Sequence, residues 1–336
     1  MSLDRIAVIG AGSWGTALAV VCERAGRQVS LWARNQDAAR AMESSHINET
    51  YLPGVEIPRA VAITSDLAAA VSAADAVLLV VPAQSLRRVA IALAEVLADD
   101  VPVALCAKGI EVNTGRLMIE VASETLGGRP IAVLSGPSFA GETAAGQPTA
   151  VTLAASSIEL ARALTQAVAT RTFRPYASDD PVGAEVGGAV KNVLAIACGI
   201  AAGRGFGDNT RAALITRGLA EITRFAVALG GRRDTMLGLS GIGDIMLTCS
   251  SEQSRNFSFG LRLGRGEALG EALGPVLGAS HSTIEGVFTA AAVVARAQEA
   301  GVDMPIATAV DAVLNRGAGL AGTIEDLLAR PLAQEV

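Results

Sequence analysis

The chain is poor in the residue types on which metal-binding, disulfide-rich and nucleic-acid-binding proteins depend. Its 336 residues include only two histidines and four cysteines. A histidine-rich metal site is therefore not expected, and the widely spaced cysteines in apolar stretches indicate buried thiols in a reducing cytoplasm. The net charge is −6 and no block of basic residues occurs, which argues against a nucleic-acid-binding surface.

Lysine is scarcer than the total basic content suggests. Of 27 basic residues only Lys108 and Lys191 are lysines, and the other 25 are arginines. Arginine serves a salt bridge or a phosphate contact as well as lysine does, but its guanidinium does not release a proton near neutral pH. The two lysines in this arginine-rich chain either occur by chance or have a chemical role. Their positions in the predicted fold distinguish these two possibilities.

No uncharged apolar run reaches the roughly 20 residues of a membrane span. The uncharged run 6–22 has the composition of a signal-peptide core, but Gly10, Gly12 and Gly15 interrupt it, and Asp4 offsets Arg5 just before it. Hydrophobic residues make up 51% of the chain and charged residues 18%, which excludes disorder through low hydrophobicity. We expect a cytoplasmic globular protein without a membrane span.

Two kinds of pattern divide the chain near residue 181. Before it, short β-rich apolar runs alternate with helical stretches, as in a doubly wound, mostly parallel α/β sheet, and the continuous runs 77–81 and 103–105 are typical of strands covered on both faces. Strands are predicted at 6–9, 29–32, 61–64, 76–81, 103–106, 131–134, 150–153 and 172–175. After it no strand is predicted, and helices are expected at 188–202, 209–229, 287–300, 305–316 and 323–328. The sequence therefore predicts an α/β domain over 1–181 and an all-helical domain over 182–336, with no prediction for 260–278.

The first predicted strand runs into a glycine motif. Gly10, Gly12 and Gly15 form the pattern G-x-G-x-x-G before an apolar helix. In that context the first glycine permits a tight turn, the second lets the backbone approach a pyrophosphate, and the third allows helix and strand to pack closely. A glycine-rich turn without a ligand is the alternative. Because strand, helix and next strand follow at the required distances, we expect a Rossmann-type domain that binds a dinucleotide at the helix N-terminus.

The end of the second predicted strand bears on the choice of dinucleotide. An Asp or Glu there would bind the ribose 2′-hydroxyl of NAD, but the residue at this place is Arg34. A guanidinium pairs with a 2′-phosphate, which a carboxylate would repel. The sequence therefore favours NADP, and NAD stays usable if Arg34 only stacks on the adenine.

Both lysines fall where chemistry would place them in such a fold. Lys108 follows the strand predicted at 103–106 and projects from the carboxyl end of the sheet, where ligands of open α/β sheets bind. Lys191 is expected to open the first helix of the second domain, among apolar neighbours that would lower its pKa toward a range useful for proton transfer. The alternative for Lys191 is a side chain that extends to solvent from a helix end.

Downstream polar residues complete the predicted site. Asp244 is the only charge in residues 241–249 and can pair with Lys191, although capping a helix is the simpler role for a lone aspartate. In the polar loop predicted at 250–257, Arg255 and Asn256 together can hold a phosphate.

With these motifs in this order the chain resembles the NAD(P)-dependent glycerol-3-phosphate dehydrogenase family, in its bacterial form. The resemblance extends over essentially the whole chain. It is carried by residues 10–18, 107–111, 134–140, 190–192, 241–244, 254–256 and 284–287. The most specific of these are the run Ser-Gly-Pro-Ser-Phe-Ala at 135–140 and the Lys-Asn pair at 191–192 joined to the Arg-Asn pair at 255–256.

The resemblance implies roles for individual residues. Lys191 is the implied proton donor and acceptor. The implied substrate site consists of Lys108, Gly136, Ser138, Lys191, Asn192, Asp244, Thr248, Ser254, Arg255 and Asn256. The implied cofactor site consists of Gly10, Gly12, Ser13, Trp14, Gly15, Arg34, Lys108, Ala140, Arg255 and Glu285. Ser138 stands where the family commonly has threonine, and its hydroxyl can serve the same purpose.

The resemblance also implies a reaction and an assembly. The reaction is reversible hydride transfer between NAD(P)H and dihydroxyacetone phosphate, which gives sn-glycerol 3-phosphate for phospholipid synthesis. A homodimer formed through the helical domain is the implied assembly. Lys108 would favour the deprotonated form of Lys191 and Asp244 would oppose it, and the sequence does not decide which charge dominates.

Two other functions remain to be distinguished. The first is a related two-domain dehydrogenase that acts on another 3-hydroxy acid or acyl-CoA. A hydroxyacyl-CoA enzyme would use a His-Glu pair, yet neither His46 nor His281 lies near a predicted site motif. A non-catalytic NADP-binding sensor would need the glycine loop and Arg34, but it would give no reason for the pattern of lysines, aspartate and Arg255.

Overall fold

The computed structural model describes residues 3–278 and 284–331, so His281 lies outside the described residues. The strands in the described residues are β1 Arg5–Ile9, β2 Gln28–Trp32, β3 Ile47–Asn48, β4 Leu52–Glu56, β5 Ala62–Thr64, β6 Ala76–Leu79, β7 Val103–Leu105, β8 Ile131–Ser135, β9 Thr149–Ala155 and β10 Phe173–Ser178. The helices are α1 Ser13–Arg24, α2 Gln36–Ser45, α3 Leu67–Val71, α4 Ala83–Ala94, α5 Met118–Thr125, α6 Ala140–Ala144, α7 Ile158–Val168, α8 Pro181–Gly203, α9 Asp208–Ala228, α10 Arg233–Met236, α11 Asp244–Cys249, α12 Arg255–Gly264, α13 Leu269–Gly278, α14 Glu285–Glu299, α15 Pro305–Asn315 and α16 Leu320–Leu328. A short irregular helical turn, Leu239–Gly243, precedes α11.

Eight strands form one sheet in the order β10-β9-β8-β7-β6-β1-β2-β5. All neighbouring pairs are parallel except β8 with β9. The six strands from β5 to β8 have the doubly wound Rossmann order, in which the chain reverses its direction of progress between β1 and β6. The predicted fold class is confirmed, and each of the eight predicted strands belongs to this sheet.

The sheet is covered on both faces, as the continuous apolar runs predicted. In β6, Val77 and Leu79 pack into the core that contains α4 and α5, whereas Ala76 and Leu78 pack into the core on the other face, with α1 and α7. Successive side chains of a strand point to opposite faces, so a strand between two helical layers must be apolar at every position.

The first helix of the helical region begins before residue 188, where the sequence predicted its start. Helix α8 starts at Pro181, where the side chain of Asp180 accepts a hydrogen bond from the backbone N–H of Gly183 at 2.9 Å. The sequence placed the start of this helix at residue 188, and a Cβ on Gly188 would stand 2.6 Å from Ser135 Oγ of the sheet. Glycine there permits close contact between helix and sheet. Lys191 consequently lies in the middle of α8, and the prediction that it opens the helix is wrong.

Helix α8 is the centre of the helical region. It is long and apolar enough to cross a membrane by composition, and it is the one such helix in the described ranges, but 83% of its apolar window is buried inside the protein. Residues 260–278, for which no prediction was made, contain the second half of α12 and the whole of α13. Glycines of α12 meet glycines of α8 so closely that a Cβ on Gly260 or Gly199 would overlap backbone atoms of the other helix. This contact brings the start of α12 close to the centre of α8.

A two-stranded antiparallel hairpin, β3-β4, lies outside the main sheet and was not predicted. β3 is only two residues long, and β4 contains Pro53 and Gly54, which indicate a turn and not a strand in the sequence. Leu52 of β4 is buried against Ala17 of α1, so the hairpin packs beside the glycine loop.

Candidate active site

The glycine loop has the geometry that a dinucleotide requires. Gly10 has φ +121°, and a Cβ there would overlap the Val80 carbonyl, which follows β6. A Cβ on Gly15 would overlap the Gly10 carbonyl, whereas a Cβ on Gly12 would stand in open space. The loop is therefore tight on its inner side and open before the N-terminus of α1, at the point where the sheet order reverses. Such a cradle fits the pyrophosphate of a dinucleotide.

Other predicted cofactor residues border this cradle. Trp14 and Ala140, the first residue of α6, pack on the same small apolar cluster with Leu52. The Trp14 ring also lies 6.5 Å from the Phe173 ring between centroids. The hydroxyl of Ser13 donates to the Tyr51 carbonyl at 2.5 Å. The backbone N–H is therefore the donor of Ser13 that remains for a ligand.

Arg34 lies exposed just beyond the carboxyl end of β2, on the edge of the sheet where the glycine loop follows β1. Strand β2 is paired with β1, so Arg34 is on the glycine-loop side of the site. Asn35 begins α2 beside it, with its side chain accepting a hydrogen bond from the Ala38 N–H at 2.9 Å.

The two lysines meet at one buried carboxylate. Lys108 Nζ donates to Asp244 Oδ2 at 2.8 Å, and Lys191 Nζ donates to Asp244 Oδ1. Lys191 also donates to Thr248 Oγ1 at 3.0 Å. Lys191 is 6% exposed and Asp244 is fully buried, which excludes the solvent-extended lysine. Each oxygen of the Asp244 carboxylate accepts a hydrogen bond from one ammonium group, so the simple helix-capping role is also wrong.

Burial and charge act in opposite directions on this group. The pKa of Lys191 is lowered, chiefly by burial and further by Lys108, while Asp244 opposes the change more strongly than Lys108 promotes it. Burial raises the pKa of Asp244, but the two ammonium groups outweigh it and hold that pKa below its ordinary value. Of the two charges, Asp244 therefore has the larger influence on Lys191, and burial exceeds both. When all three groups are ionised the cluster has a net charge of +1, which suits an anionic substrate.

Gly136 connects the lysine cluster to the end of β8. Its φ of +138° and its packing against the Val151 backbone leave no room for a side chain. Its carbonyl accepts from Lys108 Nζ at 3.1 Å and from Ser138 Oγ at 3.0 Å. Lys108 and Ser138 therefore both donate to the carbonyl oxygen of Gly136, which links the two predicted substrate residues 136 and 138 to Lys108.

Buried amides join α8, α12 and α14. The Gly286 N–H donates to Asn256 Oδ1 at 3.0 Å, so Asn256 Nδ2 is the atom that faces Asn192 Oδ1, also at 3.0 Å. The nitrogen of the Asn192 amide then remains for a ligand, and it makes no hydrogen bond within residues 3–278 and 284–331. Asn256 mainly orients Asn192 and retains one N–H of its own.

The segment 250–257 is not a loop throughout. Ser254 caps α12 with its side chain, which accepts from the Phe257 N–H at 3.3 Å, and Arg255 is the first residue of the helix. Arg255 is exposed at this N-terminus, where both the guanidinium and the helix dipole favour a phosphate.

Glu285 is the half-buried first residue of α14. Burial raises its pKa, while Arg255, then Lys108 and Lys191, and an N–H of Ala83 oppose the shift. Ala83 is the first residue of α4, directly after β6. Glu285 is thus placed among the predicted substrate residues and beside the crevice where the sheet order reverses.

Sequence reasoning missed two residues that support the site. Asn48 of the hairpin donates to the Ala11 carbonyl in the glycine loop at 3.0 Å. Glu185 of α8, 2% exposed, accepts the backbone N–H groups of Met118 and Ile119 at the start of α5. Neither residue lies in a sequence motif. The only signal for Glu185 is that it is the lone carboxylate in the apolar stretch 182–190. No group of residues in the described ranges is arranged as a metal site.

A doubly wound sheet with a glycine loop at its switch point, together with a buried lysine on the adjoining helical region, defines a dinucleotide-dependent oxidoreductase. Models of the NAD-dependent glycerol-3-phosphate dehydrogenase N-terminus and C-terminus match residues 5–161 and 180–325. The chain belongs to this family.

Individual relatives agree over the full length. The chain is 54% identical to glycerol-3-phosphate dehydrogenase [NAD(P)+] of Rhodospirillum rubrum over 99% of this chain and 94% of that protein, and 51% identical to that of Parvibaculum lavamentivorans over 100% and 99%. The crystal structure of glycerol-3-phosphate dehydrogenase from Coxiella burnetii superimposes with a TM-score of 0.92 at 39% identity, covering 97% of this chain and 99% of that one.

Proposed function

We propose that the protein catalyses reversible reduction of dihydroxyacetone phosphate to sn-glycerol 3-phosphate with a nicotinamide dinucleotide. The observation that carries this proposal is the pair of lysines on the buried carboxylate of Asp244, beside the anion-binding start of α12. Family membership supports the same substrate. The product is the backbone of glycerophospholipids, so we place the enzyme in the supply of phospholipid precursors.

Lys191 is the proposed proton donor. A dinucleotide held at the glycine loop would supply the hydride, and the oxygen of the C2 carbonyl would then need a proton. Lys191 has three N–H bonds, of which two are used by Asp244 and Thr248, so one is left to donate to that oxygen. The same amine accepts the proton in the reverse direction. Its lowered pKa makes the proton easier to release than that of an exposed lysine.

The proposed phosphate site is at the start of α12. Arg255 contributes charge, the helix N-terminus contributes backbone dipoles, and the remaining N–H of Asn256 contributes a donor. Asn192 and Lys108 would contact the substrate between this site and Lys191. Gly136, Ser138 and Ser254 would line the pocket without carrying charge.

The proposed cofactor is NADP, with NAD as the weaker ligand. Support comes from Arg34 at the end of β2, where no carboxylate is present to bind a 2′-hydroxyl. The pyrophosphate would lie before Gly12 and Ser13 at the N-terminus of α1, with Trp14, Gly15 and Ala140 behind it. Glu285 and Arg255 would approach the cofactor from the helical region.

The domain division, the assembly and the location are also proposals. We assign residues 1–181 to dinucleotide binding and 182–336 to substrate binding and catalysis, since β10 ends at Ser178 and α8 begins at Pro181. A homodimer through the helical region is supported by apolar side chains such as Met246 and Leu237, which are 48% and 66% exposed. Four buried free cysteines suit a cytoplasmic location.

A substrate comparison tests the proposed function. NADPH oxidation is followed by absorbance with dihydroxyacetone phosphate, glyceraldehyde 3-phosphate and a 3-oxoacyl thioester. We expect turnover with dihydroxyacetone phosphate to exceed that with the other two by orders of magnitude. Preference for the thioester would favour a hydroxyacyl-CoA dehydrogenase, and absence of oxidation with all three would favour a sensor that binds NADP.

A further inference from the structure

The hairpin β3-β4 is attached to the glycine loop at three points. Asn48 Nδ2 donates to the Ala11 carbonyl at 3.0 Å and to Thr16 Oγ1 at 2.8 Å. The Ser13 hydroxyl donates in the other direction, to the Tyr51 carbonyl. These bonds join residues more than 30 positions apart in the chain, and they surround the segment from Ala11 to Thr16, which is the pyrophosphate cradle.

The orientation of the Asn48 amide follows from its partners. The Tyr51 N–H can only donate, and it donates to Asn48 Oδ1 at 3.2 Å. The Ala11 carbonyl can only accept, so it must face Nδ2. Asn48 is 3% exposed and both of its N–H bonds are used, which makes this side chain a buried connector.

The bond to Ala11 determines the direction of the next amide. In a trans peptide the C=O of one residue and the N–H of the next point in opposite directions. Because Asn48 holds the Ala11 carbonyl on the hairpin side, the N–H of Gly12 points away from the hairpin. Gly12 borders the open space before α1, so this amide belongs to the group available for an anion.

We propose that Asn48 is a positioning residue for the dinucleotide: it holds the Ala11–Gly12 peptide in the orientation in which the loop amides bind the pyrophosphate. Asn48 contacts neither the adenine end of the cofactor nor the substrate in this proposal. The inference rests on the proposed dinucleotide-dependent function, but its test measures binding and does not require turnover.

The first test is the affinity of purified Asn48→Ala for NADPH and NADH, measured by fluorescence titration. We expect both dissociation constants to rise by the same factor, about 10-fold or more, because both ligands contain the pyrophosphate and the variant loses the two hydrogen bonds from Asn48 to Ala11 and Thr16. Adenosine 2′-monophosphate, which has the 2′-phosphate but no pyrophosphate, should bind with unchanged affinity. At saturating NADPH we expect kcat for dihydroxyacetone phosphate to stay within a few-fold of the parent.

Two further variants keep the proposal falsifiable. Asn48→Leu retains the branched skeleton of the buried side chain without its hydrogen-bonding groups and serves if the alanine variant does not fold, and the same loss of NADPH affinity is expected. Asn35→Ala is the matched control, because Asn35 also makes a local side-chain bond nearby but does not touch the glycine loop. NADPH affinity within twofold of the parent in a folded Asn48 variant would overturn the proposal. So would an equal loss of adenosine 2′-monophosphate binding, since that would indicate general distortion of the cofactor site.

Discussion

Lys108 and Lys191, the two lysines of the chain, bind opposite oxygens of one buried carboxylate, that of Asp244. An isolated ammonium in such a buried place would cost several kcal/mol, and the shared carboxylate offsets much of that cost. Because one carboxylate serves two ammonium groups, the cluster stays positive and can attract a phosphorylated substrate. This relationship underlies the first two predictions.

Lys191→Arg tests proton transfer. The variant keeps the positive charge but lacks a readily transferable proton, so we expect kcat for dihydroxyacetone phosphate to fall by about 10²–10⁴ while NADPH affinity is retained. The measurement is kcat in the folded variant, with cofactor titration alongside. A kcat within a few-fold of the parent would show that Lys191 acts only through its charge.

Lys108→Met tests the electrostatic balance through pH. Lys108 lowers the pKa of Lys191, so its removal should raise that pKa. Oxidation of glycerol 3-phosphate needs the neutral amine, and its rate rises as pH increases through the pKa of Lys191. We expect the midpoint of the kcat profile for oxidation to move to higher pH in the variant. An unchanged or more acidic midpoint contradicts the assignment.

Arg34→Asp tests the choice of cofactor. A charge-assisted contact to a 2′-phosphate contributes about 1.5–3 kcal/mol, so the KM for NADPH should rise by roughly 10- to 150-fold. NADH, which lacks that phosphate, should be used as well as before or better. The two KM values are compared under identical conditions, and equal losses would mean that Arg34 does not contact the phosphate.

Arg255→Ala tests the substrate phosphate site. The guanidinium at the start of α12 anchors the end of the molecule that is remote from the reacting carbonyl. We expect a large increase in KM for dihydroxyacetone phosphate and little change in the weak reduction of unphosphorylated dihydroxyacetone. If both substrates are affected alike, Arg255 serves the cofactor or the fold instead.

Glu185→Gln tests a buried carboxyl through stability. Burial raises the pKa of Glu185 to about 8, against the effect of the two N–H groups at the start of α5. An exposed carboxyl in the unfolded chain titrates near pH 4.3. The folded state therefore binds this proton more tightly, and the free energy of unfolding decreases as pH rises between about 4.3 and 8.

Glutamine does not ionise, so the decrease in stability between pH 5 and 8.5 should be smaller in Glu185→Gln than in the parent. Urea denaturation midpoints at several pH values provide the measurement. Glu43→Gln is the matched control, since Glu43 is exposed on α2 and its replacement should leave the pH dependence as it is. A parallel dependence in parent and Glu185→Gln would mean that Glu185 ionises normally in the folded protein.

Local patterns were sufficient for the sheet and for the cofactor loop. Most strands of the main sheet are short apolar runs, and the glycine motif at 10–15 is recognisable from its spacing after such a run. Such features depend on backbone geometry and on the alternation of side chains, and both are properties of neighbouring residues. The scarcity of lysine likewise identified Lys108 and Lys191 before any contact was known.

Contacts between distant residues could not be derived in this way. Lys191 and Asp244 are 53 positions apart, and Lys108 and Asp244 are 136 positions apart. Their motifs suggested a common site, but no spacing in the sequence specifies which oxygen meets which ammonium or whether water reaches them. The effects of burial and of neighbouring charges on the pKa of Lys191 depend on those distances, so only the packed structure determines which effect is larger.

The sequence by itself determined the strands of the main sheet and their alternation with helices, the glycine loop and the residue types available for chemistry, because these follow from local propensity and composition. Only the tertiary structure decided that α8 continues through Gly187 and Gly188, since close packing accounts for glycine there: Gly187 lies against the Ser240 carbonyl and Gly188 against Ser135 of the sheet. It also decided that Asn48 reaches the Ala11 carbonyl. That contact forms between segments 37 residues apart, and its energy arises only when folding excludes water from both partners.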